Sequence, residues 1–270
     1  MKTIWRKTME IQIKKAVKAG NSSAVILPRS WLHKEVRVEL VKKTPQLILI
    51  EVIEILKNYI GLDSVIGIYL VGSYARGDED STSDIDVLVL TRSIDREMLR
   101  EGIYNILIIS SELLQQKLGN DLLPIGQMIK EAKPLLNSNY LGSIEVKVTR
   151  RNIQWYVETT EEKLKMLKRI IDWAQRVGKK YLDSRIAYTL VLRIRTLYII
   201  DTLIKKNNYS KKDFIRLMKT VSKGTNAYEG YLGVKNDIEK KQDITLEETE
   251  RLYDYLRNQL EKVRKQAFMS

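Results

Sequence analysis

Cysteine is absent from the 270 residues and histidine occurs once, at His33. These shortages exclude disulfide scaffolds, thiolate zinc sites, cysteine nucleophiles and nearly all histidine-based acid/base chemistry. Any metal must be held by oxygen, and oxygen donors favour Mg²⁺ or Mn²⁺, which commonly arrive with phosphate-bearing substrates. No apolar run approaches the roughly 18 residues that a membrane helix needs. The opening "MKTIWRKTMEIQIKK" has neither an apolar h-region nor a small-residue cleavage site, so a cytoplasmic protein with no membrane partner is expected. Only four prolines occur, and no repeat or Gly/Pro-rich linker marks a boundary. Organisation must be read from changes in hydrophobic period.

What the chain has in excess is positive charge, +13 with a pI near 9.6. The excess is uneven. Up to Lys43 basic residues outnumber acidic ones by eight, whereas Asp63 to Glu97 is net acidic and the charge turns positive again after Arg150. A basic end suggests a polyanionic partner.

Three segments follow, and the fold class they imply is multidomain α+β. Residues 1–44 read as strand, tight turn, strand, helical turn and strand, a core too small to stand alone, so pairing with a second copy is expected. Residues 45–150 open with a helix, "QLILIEVIEILKNYIG". Strands follow at "SVIGIYLVG", "SDIDVLVL" and "YNILIISS", then a helix near 112–132 and a last strand "SIEVKV", giving a small α/β domain with a mixed sheet. Residues 151–270 show helical periods throughout: helices near 159–177, 182–206, 210–222 and 245–267, with a long connection over 223–243. The capping boxes Thr159 with Glu162 and Thr245 with Glu248 mark two starts. Trp155, Tyr156, Trp173, Tyr181, Tyr188 and Tyr198 fall at mostly helical positions and read as core.

The chemistry is concentrated in "VGSYARGDEDSTSDIDVLVL". Side chains alternate along a strand, so Asp84 and Asp86 project from one face while Ile85 and Val87 enter the core. Two carboxylates converging without a cation would repel and raise one pKa; a divalent ion relieves the conflict. Upstream, Gly72 ends an apolar strand where a missing Cβ lets backbone approach a ligand, and Ser73 is placed to cap the turn that follows. Arg76 can fork phosphate oxygens or brace the loop.

"GSYARG" followed by "SDID" resembles the signature of the polymerase β-type nucleotidyltransferases, in particular the minimal, antitoxin-like members, over roughly residues 46–148. The resemblance implies that Gly72, Ser73, Arg76 and Ser83 hold a nucleoside triphosphate, expected to be ATP, and that Asp84 and Asp86 bind Mg²⁺ or Mn²⁺ for in-line attack on the α-phosphorus. Such proteins carry a third carboxylate on the next strand. Here that strand reads "YNILIISSELL" without an acid inside it; Glu145 is the candidate substitute, with Glu112 less well placed.

Within "KAGNSSAVILPRSWL" the N-terminal segment resembles the AbrB/MazE-type swapped-hairpin DNA-binding domain, which implies a homodimer with Lys14, Lys15, Lys18, Asn21, Ser22, Ser23 and Arg29 facing DNA. The helical segment is similar to the HEPN-type and kanamycin-nucleotidyltransferase-type bundles, and its lack of histidine excludes a HEPN-type ribonuclease centre. Two functions stay open on these grounds: transfer of AMP to a hydroxyl of a protein or small-molecule acceptor, or nucleotide sensing by a DNA-binding regulator that turns over little.

Overall fold

In the computed structural model, which describes residues 14, 16–38, 43–80, 83–235, 237 and 243–268, the chain divides into two compact units, residues 1–48 and 49–270.

In the first unit β1 (Val17–Ala19) and β2 (Ser22–Ala24) pair antiparallel across a two-residue turn. Gly20 at φ +60° supplies the left-handed step such a tight hairpin requires. A 3₁₀ turn follows at Arg29–Trp31. The strand expected at "VRVELV" is absent over Val36 to Val38, and its remainder lies outside the described residues. Ile26, Leu32 and Val38 are each more than 60% exposed, so the described residues of this unit bury little apolar surface among themselves.

The second unit is built on a sheet. α1 (Pro45–Leu56), whose residues from Leu49 belong to this unit, buries Val52 and Leu56 at helical spacing. Next come β3 (Val65–Val71), the short α2 (Gly72–Arg76), β4 (Ile85–Thr91), β5 (Arg96–Glu101) and β6 (Tyr104–Ser110). α3 (Ser111–Asn120), α4 (Ile125–Glu131), β7 (Lys133–Leu136) and α5 (Ser138–Ser143) complete this part. The sheet order is β5-β6-β4-β3-β7, with β4 and β6 parallel and the other neighbours antiparallel, so the expected mixed sheet is present.

Of the four strands expected, the last is not in this sheet, and β5 and β7 are additional. β7, with Pro134, takes the edge, where a missing N–H is tolerated. "SIEVKV" instead runs outside any sheet.

The helices are α6 (Arg150–Arg176), α7 (Ser184–Ile204), α8 (Lys211–Ser222), α9 (Asn226–Lys235) and α10 (Leu246–Phe268), with a minimal ladder of β8 (Tyr181–Leu182) on β9 (Ile244–Thr245). α6 starts nine residues before the expected Thr159. Its capping box is Thr149 with Asn152, while Thr159 Oγ1 donates to the Trp155 carbonyl inside the helix. The box at Thr245 and Glu248 forms as expected, Glu248 N–H donating to Thr245 Oγ1 and Thr245 N–H to Glu248 Oε2. The expected connection over 223–243 contains α9.

α7 is apolar on most sides and packs against α9 and α10; α10 also packs against α6, and α4 against α7. One continuous core runs from Tyr69, Leu88, Leu90 and Ile109 on one sheet face into this bundle. Burying one such leucine fully contributes about 1.5–3 kcal/mol. Of the aromatics read as core, Tyr156 is buried, but Trp155, Trp173 and Tyr181 are 46–60% exposed.

Candidate functional site

The bundle-facing side of the sheet also carries the acids. Along β4, Ile85, Val87 and Val89 bury on one face while Asp86 follows the opposite phase, that of Leu88 and Leu90. Val71 at the end of β3 is the register partner of Asp86, so β3 gives way to the Gly72 turn beside that carboxylate. A Cβ on Gly72 would lie 2.3 Å from Asp86 Oδ2, and φ is +69°. This position therefore needs glycine for both backbone and space. Gly72→Ala is expected to cost about 1–3 kcal/mol in urea unfolding and to push the Asp86 side chain out of place.

Ser73, Arg76, Ser83, Asp84 and Asp86 line one cavity of about 530 Å³. Two details depart from expectation. Ser73 does not cap α2, which begins at Gly72 without a side-chain cap. The Gly72 N–H is not open to a ligand but donates to Glu131 Oε1 at 2.9 Å.

Glu131 is a residue that sequence reasoning missed. Its other oxygen accepts from Arg76 Nη1 at 2.8 Å and from Gln127 at 3.2 Å. Arg76 Nε also donates to Asp78 at 3.3 Å. Burial opposes the Arg76 charge, and Glu131 and Asp78 more than offset it. Arg76 ties α2 to α4 through Glu131 while it also borders the cavity. Ser83 exchanges hydrogen bonds with Asp80 and closes the loop before β4.

Beside the two aspartates β6 presents an amide rather than an acid. In the parallel β4–β6 pairing Asn105 is the partner of Asp86, and Asn105 Nδ2 donates to Asp84 Oδ2 at 3.3 Å and Asp86 Oδ1 at 3.2 Å. Burial pushes the Asp86 carboxyl above its ordinary pKa, and the charge of Asp84 adds to the rise; Asn105 and Arg76 pull the other way. Glu145 borders a different cavity and pairs with Lys147 at 3.0 Å. Glu112 sits in the first turn of α3 and borders neither cavity.

The facing wall comes from the bundle: Arg195 of α7, Tyr209 before α8, Lys211 and Phe214 of α8, and Tyr228, Tyr231 and Lys235 of α9. Arg76 and Arg195 each hold their guanidinium 5.6 Å from the Tyr209 ring centre, a cation–π arrangement. Arg195 Nη1 reaches the Tyr231 hydroxyl at 3.4 Å, while its buried Nε has no hydrogen-bond partner among the described residues. Burial opposes the Arg195 charge and the two tyrosines restore it. An acidic floor thus faces a cationic, aromatic wall.

The donor set fits a hard cation. Among the described residues no group of three or more His, Cys, Asp or Glu side chains is gathered for a metal. Mg²⁺, however, is commonly held by one or two carboxylates together with substrate phosphates. Asp84 and Asp86 supply that pair, and a half-turn of the Asn105 amide would add an oxygen.

In the N-terminal unit Lys14, Lys18, Asn21, Ser22, Ser23 and Arg29 are exposed, along and after the β1–β2 hairpin; Lys15 lies outside the described residues.

No curated protein matches the chain. Among solved structures it is similar to a nucleotidyltransferase-like protein from Exiguobacterium sibiricum 255-15, at 14% identity over 79% of this chain and 74% of that one, TM-score 0.37. It is also similar to the spectinomycin adenyltransferase AAD(9) from Enterococcus faecialis with ATP and spectinomycin, at 16% identity over 78% of this chain and 99% of that one, TM-score 0.38. The family model of the nucleotidyltransferase domain matches residues 49–215, the span from within α1 to the start of α8. The chain belongs to the nucleotidyltransferase domain family.

Proposed function

We propose that the second unit binds a nucleoside triphosphate, ATP in the first instance, with Mg²⁺ and transfers its nucleoside monophosphate to an acceptor hydroxyl, releasing pyrophosphate. The single observation that carries this reading is the meeting of Ser73, Asp84 and Asp86 with Arg195 and Lys211 in one 530 Å³ cavity. Asp84 and Asp86 would hold the cation, which when bound neutralises charge on the phosphates. The Ser73 hydroxyl donates to a phosphate oxygen, and Arg195 and Lys211 take the polyphosphate from the bundle side. Tyr209, Tyr228 and Tyr231 narrow the space left for the acceptor and exclude water. On this reading residues 45–150 carry the chemistry and residues 151–270 enclose the acceptor. The cationic wall suits a protein or other polar acceptor better than a cationic small molecule.

Asn105 favours a second reading. With an amide beside Asp84 and Asp86, no other carboxylate among the described residues lines the cavity except Asp80, which is engaged with Ser83. Proton removal from the acceptor is then slow, and nucleotide binding can serve as a signal. Labelled ATP, GTP, CTP and UTP incubated with Mg²⁺ separate the two. Pyrophosphate release lost in Asp84→Ala supports transfer, nucleotide binding without release supports sensing, and neither result removes both.

The first unit is proposed to bind DNA as a homodimer. Its exposed Ile26, Leu32 and Val38 support burial against a second copy, and exposed Lys14, Lys18 and Arg29 support phosphate contact. In the full chain, changing these three to alanine is expected to flatten the slope of log affinity against log salt by up to about 0.9 per lost phosphate contact. Duplex binding with an unchanged slope rejects the assignment.

A further inference from the structure

The segment Ile144 to Thr149 begins and ends in extended backbone, Ile144 at φ −82°, ψ 116° and Thr149 at φ −129°, ψ 158°, yet pairs with no strand among the described residues. Burial alternates along it: Ile144, Val146 and Val148 pack on the core, while Glu145 and Lys147 point outward and join in an ion pair at 3.0 Å. Its backbone polar groups divide by edge. On one edge the Lys147 carbonyl accepts from Asn152 Nδ2 at 2.9 Å, and the Thr149 N–H donates to Asn152 Oδ1 at 2.9 Å. Asn152, only 2% exposed, thus does the work of a neighbouring strand there.

In an extended chain the N–H and C=O of one residue share an edge, and successive residues alternate. The groups of Val146 and Val148 therefore project from the opposite edge. Among the described residues no hydrogen bond meets them. Donors and acceptors spaced two residues apart, about 6.8 Å, are what an added strand would use.

The same segment borders a groove of about 910 Å³, the upper end of the roughly 300–1,000 Å³ of small-molecule sites. Its walls are aliphatic, Ile129, Leu141, Leu203 and Ile204 among them, and no aromatic ring among the described residues lines it. Lys130 and Lys206 are exposed on its border and have no acidic partner among the described residues.

We propose that this groove is a docking site for an extended, acidic segment of a partner protein, which adds as a strand to the free edge of Val146 and Val148, places alternate apolar side chains on the aliphatic walls and sets its carboxylates against Lys130 and Lys206. Backbone pairing gives affinity and the lysines select charge. The walls and the period of the free groups suit a peptide; a nucleic acid would find no stacking platform among the described residues.

The test uses the full chain and a fluorescein-labelled peptide alternating Glu and Val over six residues, with a Lys/Val peptide as control. The acidic peptide is expected to bind with an anisotropy rise that weakens with salt, and Lys130→Glu with Lys206→Glu is expected to weaken it at least tenfold. These surface changes leave the core intact. Hydrogen exchange is expected to show the Val146 and Val148 amides fast in the free chain and at least tenfold slower with peptide. Absent binding, equal binding of both peptides, or unchanged binding by the double variant overturns the proposal. So does protection of the two amides that rises with protein concentration alone, which would assign the edge to a second copy of this chain.

Discussion

Changing Asp86 to asparagine is expected to cut nucleotidyl transfer on the order of a thousandfold, the worth of several kcal/mol of charge stabilisation, while raising the thermal midpoint of the metal-free protein at pH 7. The two effects have one cause. Asp86 is held among buried neighbours beside Asp84, and burial first, then that like charge, lifts its pKa above the ordinary carboxylate value. A carboxyl raised in the folded state contributes stability that is fully present below its unfolded pKa of about 4 and is lost as pH rises through the folded value. The wild-type chain loses it as pH climbs through that raised value. An amide of the same shape never ionises and can still accept from Asn105, so its advantage should be absent near pH 3 and grow as the solution is neutralised. Added Mg²⁺ should raise the midpoint of the wild type and leave the variant unmoved, because only the former presents a charge pair for the cation to relieve. Calorimetry with and without Mg²⁺, beside a pyrophosphate assay, measures both halves. A variant that transfers at the wild-type rate would mean that Asp86 is no part of the chemistry.

Asp86 could be read from the sequence because everything that places it is local. Strand alternation sets its face, and Gly72 stands one step past its register partner, so twenty consecutive residues contain the floor of the cavity. Glu131 and Asn105 carry no such mark. Asn105 comes beside Asp86 only through the parallel register of β4 on β6, with β5 intervening in sequence. Glu131 meets Gly72 N–H across 59 residues, from the end of a helix whose pattern says only that it is amphipathic. The cationic wall is more distant still, since Arg195 and Tyr209 depend on how α7 and α8 pack over the sheet. In a linear reading both belong to a bundle like any other. Short or interrupted elements failed for a different reason. β7 holds a proline and spans four residues, β5 begins and ends in charged residues, and α9 contains Gly230 and Gly233, so propensity points away from each and tertiary contact decides. "SIEVKV" is the converse case. Its alternation is that of a strand and its burial follows that alternation, yet its hydrogen bonds go to a side chain.

Installing an acid where the sheet now holds an amide is the sharpest test of what this site does. Asn105→Asp is expected to raise pyrophosphate release by about a hundredfold or more, within the 10²–10⁴ that a positioned general base contributes, whereas Asn105→Ala should give no gain. The geometry sets this expectation. Asn105 Nδ2 already stands 3.2–3.3 Å from an oxygen of each aspartate, so a carboxylate there would share the cavity with both and could take the acceptor proton. The gain has a cost. Three carboxylates without a cation repel more than two, and loss of the amide donor removes one of the influences that hold down the Asp86 pKa. The metal-free variant should therefore melt below the wild type at pH 7, recover as pH falls through the carboxylate range, and depend more steeply on Mg²⁺. If the wild type already turns over at the rate of the aspartate variant, proton removal does not limit transfer, and the reading of Asn105 as the residue that favours sensing over turnover fails. If the variant gains Mg²⁺ affinity without any gain in release, the shortfall lies on the bundle side, where Arg195 and Lys211 line the cavity as the proposed phosphate partners, and substitution of those two becomes the decisive experiment.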